Sequence, residues 1–255
     1  MSKTILITGA GTGIGAETAR HLAPDNTIIV HYNASREGAE KVAADVEQNG
    51  GKAYLVQADV SSQAGCTALV DDVAQNFDHL DVLVNNAGGL IQRQPAAELE
   101  WELMERIFSL NVFSVMQITS LCLPLLKQGP LLEQRPLLEQ RGQPNIVNIT
   151  SIAMRNGAPL ATIYGAAKSA IDSFTRGLAR ELAPDIRVNA VAPGVIETPF
   201  HEKVSTPERM KAFKEATPLQ RNGQSIHITM AIKLLIENDF MTGETIDVNG
   251  GLFMR

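Results

Sequence analysis

Short apolar runs alternate with longer amphipathic stretches along the whole chain. The runs are Thr4–Thr8, Thr27–His31, Ala53–Gln57, Val82–Asn85, Ile146–Thr150, Arg187–Val191 and Thr245–Val248. Most are rich in Ile, Val and Leu, the pattern of parallel strands buried on both faces of a sheet. The segments between them have the length of helices, for example Glu37–Asn49, Ser62–Phe77 and Ile163–Leu182. Repeating strand–helix units predict the α/β class, with a doubly wound, seven-stranded parallel sheet and helices on both faces. No linker or compositional shift divides the 255 residues, so one domain, 1–255, is expected.

Composition narrows the function classes. Apolar residues make up 44% and charged residues 20%, an ordinary globular balance. A net charge of −6 argues against a nucleic-acid surface. No apolar run reads as a membrane span, and Met1 is followed so soon by the run from Thr4 that a signal peptide has no room. Cys66 and Cys122 provide neither a disulfide framework nor a metal cluster. A cytoplasmic protein with no membrane partner is expected.

One segment breaks the alternation. PLLEQR at Pro130–Arg135 is repeated at Pro136–Arg141, and each proline interrupts a helix. The repeat joins a helix to the strand at Ile146, on the side away from where such sheets bind ligands. It reads as a tolerated duplication, or as a contact surface through Leu131, Leu132, Leu137 and Leu138.

Two motifs carry chemistry. Thr8-Gly9-Ala10-Gly11-Thr12-Gly13-Ile14-Gly15 follows the first strand and opens the first helix. Glycines there let the backbone approach a pyrophosphate at the helix N-terminus. The second motif is Tyr164-x-x-x-Lys168, with Ser151 thirteen residues before the tyrosine. Positions i and i+4 share one helix face. An ammonium one turn away would draw the phenol's pKa down from about 10 towards neutrality.

Read together, these motifs resemble the short-chain dehydrogenase/reductase family in its form of about 250 residues. The resemblance rests on T-G-x-x-x-G-I-G at 8–15, Asp59-Val60, Asn85-Asn86-Ala87-Gly88, Asn111, Ser151, Tyr164-x-x-x-Lys168, Arg187-Val188-Asn189, Pro193-Gly194-x-x-x-Thr198 and Asp247-Val248-Asn249-Gly250-Gly251, in order along the chain. The 130–141 duplication is the main departure. The resemblance implies a Rossmann-type, three-layer α/β/α fold and reversible hydride transfer between a nicotinamide and a carbonyl or alcohol substrate. It implies Tyr164 as general acid, Ser151 as the hydroxyl holding the substrate oxygen, Lys168 tuning Tyr164 and binding the nicotinamide ribose, and Asn111 holding a relay water. Gly9, Gly13 and Gly15 would line the pyrophosphate, with Ile14 beside them. Asp59 would bond the adenine amino group and Val60 pack on the ring. Asn86, Ala87 and Gly88 would support the adenosine ribose side, and Pro193, Gly194, Ile196 and Thr198 would border the nicotinamide. From the residues alone, Asp59 could cap a helix, Asn86-Ala87-Gly88 could be a plain turn, and Asn111 reads as a polar residue satisfied within a helix.

Cofactor choice turns on the end of the second strand, His31-Tyr32-Asn33-Ala34-Ser35-Arg36. No carboxylate stands near Asn33 to bind a ribose 2′-hydroxyl and reject a 2′-phosphate. Asn33, Ser35 and Arg36, with Thr12, can receive a phosphate, and a Y-N-x-S ending resembles NADP-dependent members. NADP(H) is expected, with NAD(H) as the alternative, since Thr12 stands where many NADP users carry arginine.

The substrate loop is expected at 197–220, where Phe200, Met210, Phe213 and Leu219 stand among many charges. An amphipathic lid fits this pattern. The substrate resemblance is to 3-oxoacyl-carrier-protein reductases and glucose-dehydrogenase-like members. Lys203, Arg209, Lys211 and Lys214 would suit an acidic carrier, but alternate with Glu202, Glu208 and Glu215 as on a solvated helix. The resemblance also implies a homotetramer or homodimer. Ile171, Phe174 and Leu178 are then interface or core. The competing function class is a catalytically silent dinucleotide sensor on the same fold.

Overall fold

A computed structural model describes residues 2–127 and 142–254 of the chain. The repeated hexads lie outside the described residues. Seven strands form the main sheet: β1 Thr4–Ile7, β2 Thr27–Tyr32, β3 Lys52–Gln57, β4 Val82–Asn85, β5 Asn145–Ile149, β6 Arg187–Pro193 and β7 Thr245–Val248. Every pairing is parallel, in the order β3-β2-β1-β4-β5-β6-β7. The fold is the expected α/β sheet. A separate pair of two-residue strands, Ile196–Glu197 and Gly223–Gln224, escapes any sequence pattern because it is too short to carry a period.

The strands are apolar throughout because both faces are covered. In β1, Ile5 and Ile7 enter one core cluster and Leu6 the other, and all three are buried. The same alternation places Ile28 and Val30 opposite Ile29, and Val82 and Val84 opposite Leu83. Each such side chain contributes on the order of 1.5–3 kcal/mol when fully buried. One layer contains α1 (Gly13–His21), α2 (Arg36–Gln48) and a late helix, Ser225–Glu237. The other contains α3 (Gln63–Asn76), the rod formed by α4 (Trp101–Phe108) and α5 (Ser114–Lys127), and the long helix Thr162–Leu182.

The rod is a correction to the sequence expectation. Trp101–Lys127 has a window of mean hydropathy 1.5 and is long and apolar enough to cross a membrane. Half of that window is buried within the chain, where Leu103, Ile107, Val112 and Val115 pack against Ile163, Ala167 and Ile171. Ile171 and Leu178 are accordingly core within a single chain, and Phe174 packs on the core partly buried.

Strand order reverses direction between β1 and β4. The crevice at the carboxyl ends of these neighbours is where open α/β sheets place ligands. The short helix α6 (Ala153–Asn156), then α7 (Thr162–Leu182), and the pair α8 (Pro199–Val204) and α9 (Pro207–Ala216) gather around that end; α10 (Ser225–Glu237) follows. The 197–220 segment expected as a loop is therefore largely helical. Pro199 and Pro207 each begin a helix, the position where proline's fixed φ is favourable.

Candidate active site

The glycine loop leaves β1 and turns back over the end of β4. Gly9 has φ +65, and a Cβ there would meet Ala87 Cα at 3.0 Å. A Cβ on Gly15 would lie 2.5 Å from the Gly9 carbonyl oxygen. The loop is held from behind by Thr8 and Asn86. Thr8 Oγ1 accepts from the backbone N–H groups of Asn86 and Ala87 at 3.0 and 2.9 Å. Asn86 Nδ2 donates to the carbonyls of Thr8 and Gly9 at 2.9 and 3.1 Å. Asn86 is thus a brace for the loop as well as part of the cavity wall.

A cavity of about 620 Å³ extends from this loop across the sheet end, within the range of small-molecule sites. At one end its walls include Gly9, Thr12, Gly13, Ile14, Asn33, Ser35, Asp59 and Val60. In the middle they include Asn86, Ala87, Gly88, Pro193, Gly194, Ile196 and Thr198, and then Ser151, Tyr164 and Lys168. The helix-capping alternative for Asp59 is excluded. Ser62 caps α3, accepting from Gly65 N–H at 3.1 Å, while Asp59 accepts from Ser61 N–H and Oγ at 3.0 and 2.7 Å.

Three expected site residues are not in the cavity wall. Arg36 turns its guanidinium along α2 to Glu40 at 2.9 Å, with both side chains largely exposed. Gly15 is buried behind the loop, where its contribution is space for the Gly9 carbonyl. Asn111 lies one layer back, in a π-helical turn, Ser109–Phe113, between α4 and α5. Its Nδ2 donates to Gly89 and Ile107 carbonyls, each at 2.8 Å, and its Oδ1 accepts from Gly89 N–H at 3.0 Å. Both amide hydrogens of Asn111 and one lone pair of its Oδ1 are engaged, and it joins the π turn to the loop after β4. Such turns inside helices recur at functional sites.

Tyr164 and Lys168 lie one turn apart on α7, which buries Ile163, Ala167 and Ile171 on the adjoining face, with Tyr164 packed against them. Lys168 is buried and donates to the Ile149 carbonyl at the end of β5, at 2.9 Å. Its Nζ is 5.7 Å from the centre of the Tyr164 ring. A Cβ placed on Gly88 would sit 3.1 Å from Lys168 Nζ and 2.8 Å from Asn111 Oδ1, so these groups share one small space. Ser151 leaves the same end of β5, and its Oγ accepts from Ala153 N–H at 3.1 Å.

The electrostatics differ from the sequence expectation. Burial pushes the Tyr164 phenol up to about 12, against the opposing effect of a hydrogen bond with Ser151. Burial pulls Lys168 down to about 8. Desolvation penalises the charged form of each group, and in this enclosed site it outweighs the attraction that helical spacing alone suggested.

His31 was not singled out from the sequence. It is buried, its Nδ1 accepts from Gly9 N–H at 3.0 Å, and its Nε2 faces the Ala58 carbonyl at 3.1 Å. A histidine closing an otherwise apolar strand is the signal that could have identified it. Arg93, His201 and Leu90 also line the cavity, and no sequence pattern pointed to them.

The family's sequence model, described as short chain dehydrogenase, matches residues 3–209. The chain belongs to this family. A cyclopentanol dehydrogenase of Comamonas sp. is 32% identical over 98% of the chain and 96% of its own length. Among solved structures, an NADH-dependent reductase responsible for alginate metabolism superposes with a TM-score of 0.87 at 28% identity, covering all of this chain and 98% of that one. The RhlG/NADP complex of Pseudomonas aeruginosa gives 0.87 at 27% identity over 98% and 96%. As a short-chain dehydrogenase, the protein is an oxidoreductase that uses a nicotinamide cofactor on a small molecule. The cavity suits such a cofactor: side chains at Gly9 or Gly15 would collide with backbone, and the loop leads into the N-terminus of α1.

Proposed function

We propose that the protein interconverts a carbonyl and a secondary alcohol, with Tyr164 as the proton donor and acceptor. The observation that carries this reading is the meeting of Ser151, Tyr164 and Lys168 in one cavity with the glycine loop. A bound nicotinamide supplies or removes the hydride. Gly9, Gly13 and the N-terminus of α1 would hold the pyrophosphate, Asp59 and Val60 would take the adenine end, and Gly194, Ile196 and Thr198 would border the nicotinamide. Ser151 Oγ holds the substrate oxygen, a fixed donor aimed where negative charge develops. The high pKa of Tyr164 keeps its proton in place near neutrality, ready for that oxygen. Lys168, charged below about pH 8, places positive potential behind the phenol and reaches towards the nicotinamide ribose. Asn111 anchors the loop after β4 through Gly89, and it would hold the water that relays protons to Lys168.

NADP(H) is the favoured cofactor and NAD(H) the second. Asn33 and Ser35 line the cavity at the end of β2, where no carboxylate stands to repel a 2′-phosphate. The similar structures include both an NADH-dependent and an NADP-bound protein, so the argument rests on this strand end. The test is oxidation of NADPH and NADH with a panel of ketones, aldehydes and oxo acids. Turnover that is lost in Tyr164→Phe supports the reading. Undiminished turnover in that variant removes Tyr164 from the proton step.

A further inference from the structure

Beyond Tyr164, the cavity is finished by residues outside the cofactor motifs. The Phe200 ring lies 6.4 Å from the Tyr164 ring, and His201 meets Phe200 edge-on at 5.0 Å. Phe213 follows at 6.3 Å from His201, and the Arg209 guanidinium lies 5.9 Å from the centre of the Phe213 ring. Arg93 enters from the loop after β4, with its Nε donating to the Val204 carbonyl in α8 at 3.1 Å. The three rings and both arginines line the cavity. From Tyr164 outwards, an apolar stretch thus leads to a cationic end.

Among the described residues lining the cavity, the one carboxylate is Asp59, which stands at the opposite end, past β3. Among the described residues, neither Arg93 nor Arg209 is in ion-pair contact with a carboxylate. The two are near enough that the charge on Arg209 adds to burial in lowering the pKa of Arg93. Burial, with a smaller effect of Arg93, holds His201 down at about 4, so it is neutral at pH 7. Like charges turned to one partly buried space, without an anion, cost free energy that a bound anion would offset. The guanidinium fork matches a carboxylate, which it can hold with two parallel hydrogen bonds. Lys211, on the same helix as Arg209, behaves differently: it is exposed and lies 3.9 Å from Glu215.

Resting on the carbonyl-reductase reading above, we infer that the substrate is an oxo acid whose carboxylate is held by Arg93 and Arg209. An apolar segment of the substrate lies along Phe200 and Phe213, which brings its carbonyl carbon to Tyr164 and Ser151. The chemistry is unchanged: the carbonyl carbon gains a hydride from the reduced nicotinamide, the oxygen gains a proton from Tyr164, and a hydroxy acid leaves.

The test uses the full chain with reduced cofactor and oxo acids of increasing chain length, including aryl-bearing ones. Each acid is paired with its methyl ester, and a phosphorylated ketone is included. The acid is expected to exceed its ester in kcat/KM by on the order of 10²-fold, as for two charge-assisted hydrogen bonds. Arg93→Met and Arg209→Met should each lower that ratio about tenfold, chiefly through KM for the acid, while Lys211→Met leaves it unchanged. Esters used as well as acids, a ratio untouched in both arginine variants, or a preference for the phosphorylated ketone would each overturn the inference. Turnover of neutral ketones alone would do so too, yet leave the reductase reading intact. Thermal shifts with cofactor and each acid are read in parallel. An acid-dependent shift lost in Arg209→Met supports the inference even where no cofactor is oxidised and the reductase reading fails; no shift and no turnover overturns both.

Discussion

The backbone N–H of Gly9 donates to Nδ1 of His31 at 3.0 Å, so the first glycine of the loop is tied to the end of the neighbouring strand. The acceptor must be an unprotonated nitrogen, which leaves Nε2–H to donate to the Ala58 carbonyl at 3.1 Å. Both ring nitrogens are therefore committed in the neutral form. His31→Phe removes the acceptor and leaves a partly buried N–H unpaired, at a cost of about 1–2 kcal/mol. The expected result is a lower Tm and several-fold weaker binding of both nicotinamide dinucleotides. Unaltered affinity and Tm would mean that the loop holds its shape without this bond.

The same contact predicts a pH dependence. Burial lowers the folded-state pKa of His31 below its ordinary value, with smaller opposing effects from Ala58 and Asp59. The folded protein then binds fewer protons than the unfolded chain, and stability rises with pH in that window. The contribution is complete above about pH 6.5, the ordinary histidine value, and is lost as pH falls through the folded value. Thermal melts of the wild type and His31→Phe should therefore differ most near neutrality and converge in acid. A constant difference from pH 7 to pH 4.5 would sink this account.

Lys168 predicts the alkaline side of the activity profile. Burial places its pKa at about 8, whereas the Tyr164 phenol is raised to about 12. Carbonyl reduction, measured as kcat/KM, should fall as pH rises past about 8 because the lysine loses its charge, not because the phenol does. Tyr164→Phe should lower kcat by at least about 10²-fold with little change in cofactor Kd, as expected for loss of a general acid. In Lys168→Met the residual activity should lose the limb near pH 8. Persistence of that limb would assign it to Tyr164 and restore the sequence expectation of a lowered phenol.

Asn111 predicts coupling between the helical rod and the active site. Its side chain makes three hydrogen bonds, two of them to Gly89. Asn111→Leu leaves the Gly89 N–H and carbonyl without those partners, costing about 2–3 kcal/mol. The expected outcome is a lower Tm together with a kcat loss larger than any change in cofactor Kd. A stability loss with full kcat would make Asn111 a fold residue only.

Much of this was legible in the sequence because it is local. Seven apolar runs give seven strands since a strand buried on both faces needs no partner information to be recognised. The spacing of Tyr164 and Lys168 places them one turn apart wherever the helix packs. What escaped depends on contacts between distant segments. Spacing suggests Arg36 as a phosphate ligand but does not show that its guanidinium pairs with Glu40, one turn on. Arg209 sits in a charge-alternating stretch that reads as solvated, yet Phe213 lies beneath it and the cavity beside it. Spacing alone predicts a lowered Tyr164 pKa because it reports the neighbouring charge and says nothing of the burial that outweighs it.

The end of β2 offers the final prediction. Asn33 and Ser35 line the cavity, and Ser35 Oγ would lie 2.3 Å from a Cβ on Gly11, so the strand end and glycine loop are in close contact. A phosphate on the adenosine ribose would find hydroxyl and amide groups there, which can donate hydrogen bonds. Asn33→Asp sets a negative charge against it and supplies an acceptor for a free 2′-hydroxyl. That variant should weaken NADP binding about 10–100-fold while NAD binding holds or tightens, the scale of one unfavourable charge contact in a partly enclosed site. Arg36→Ala should weaken NADP less than about tenfold, since its guanidinium is directed to Glu40 and the exposed pair is readily screened. Fluorescence titration of both reduced cofactors against the three proteins measures the difference. Tighter binding of NAD than NADP by the wild type, or an Asn33→Asp variant with unchanged preference, would place cofactor selection elsewhere in the cavity.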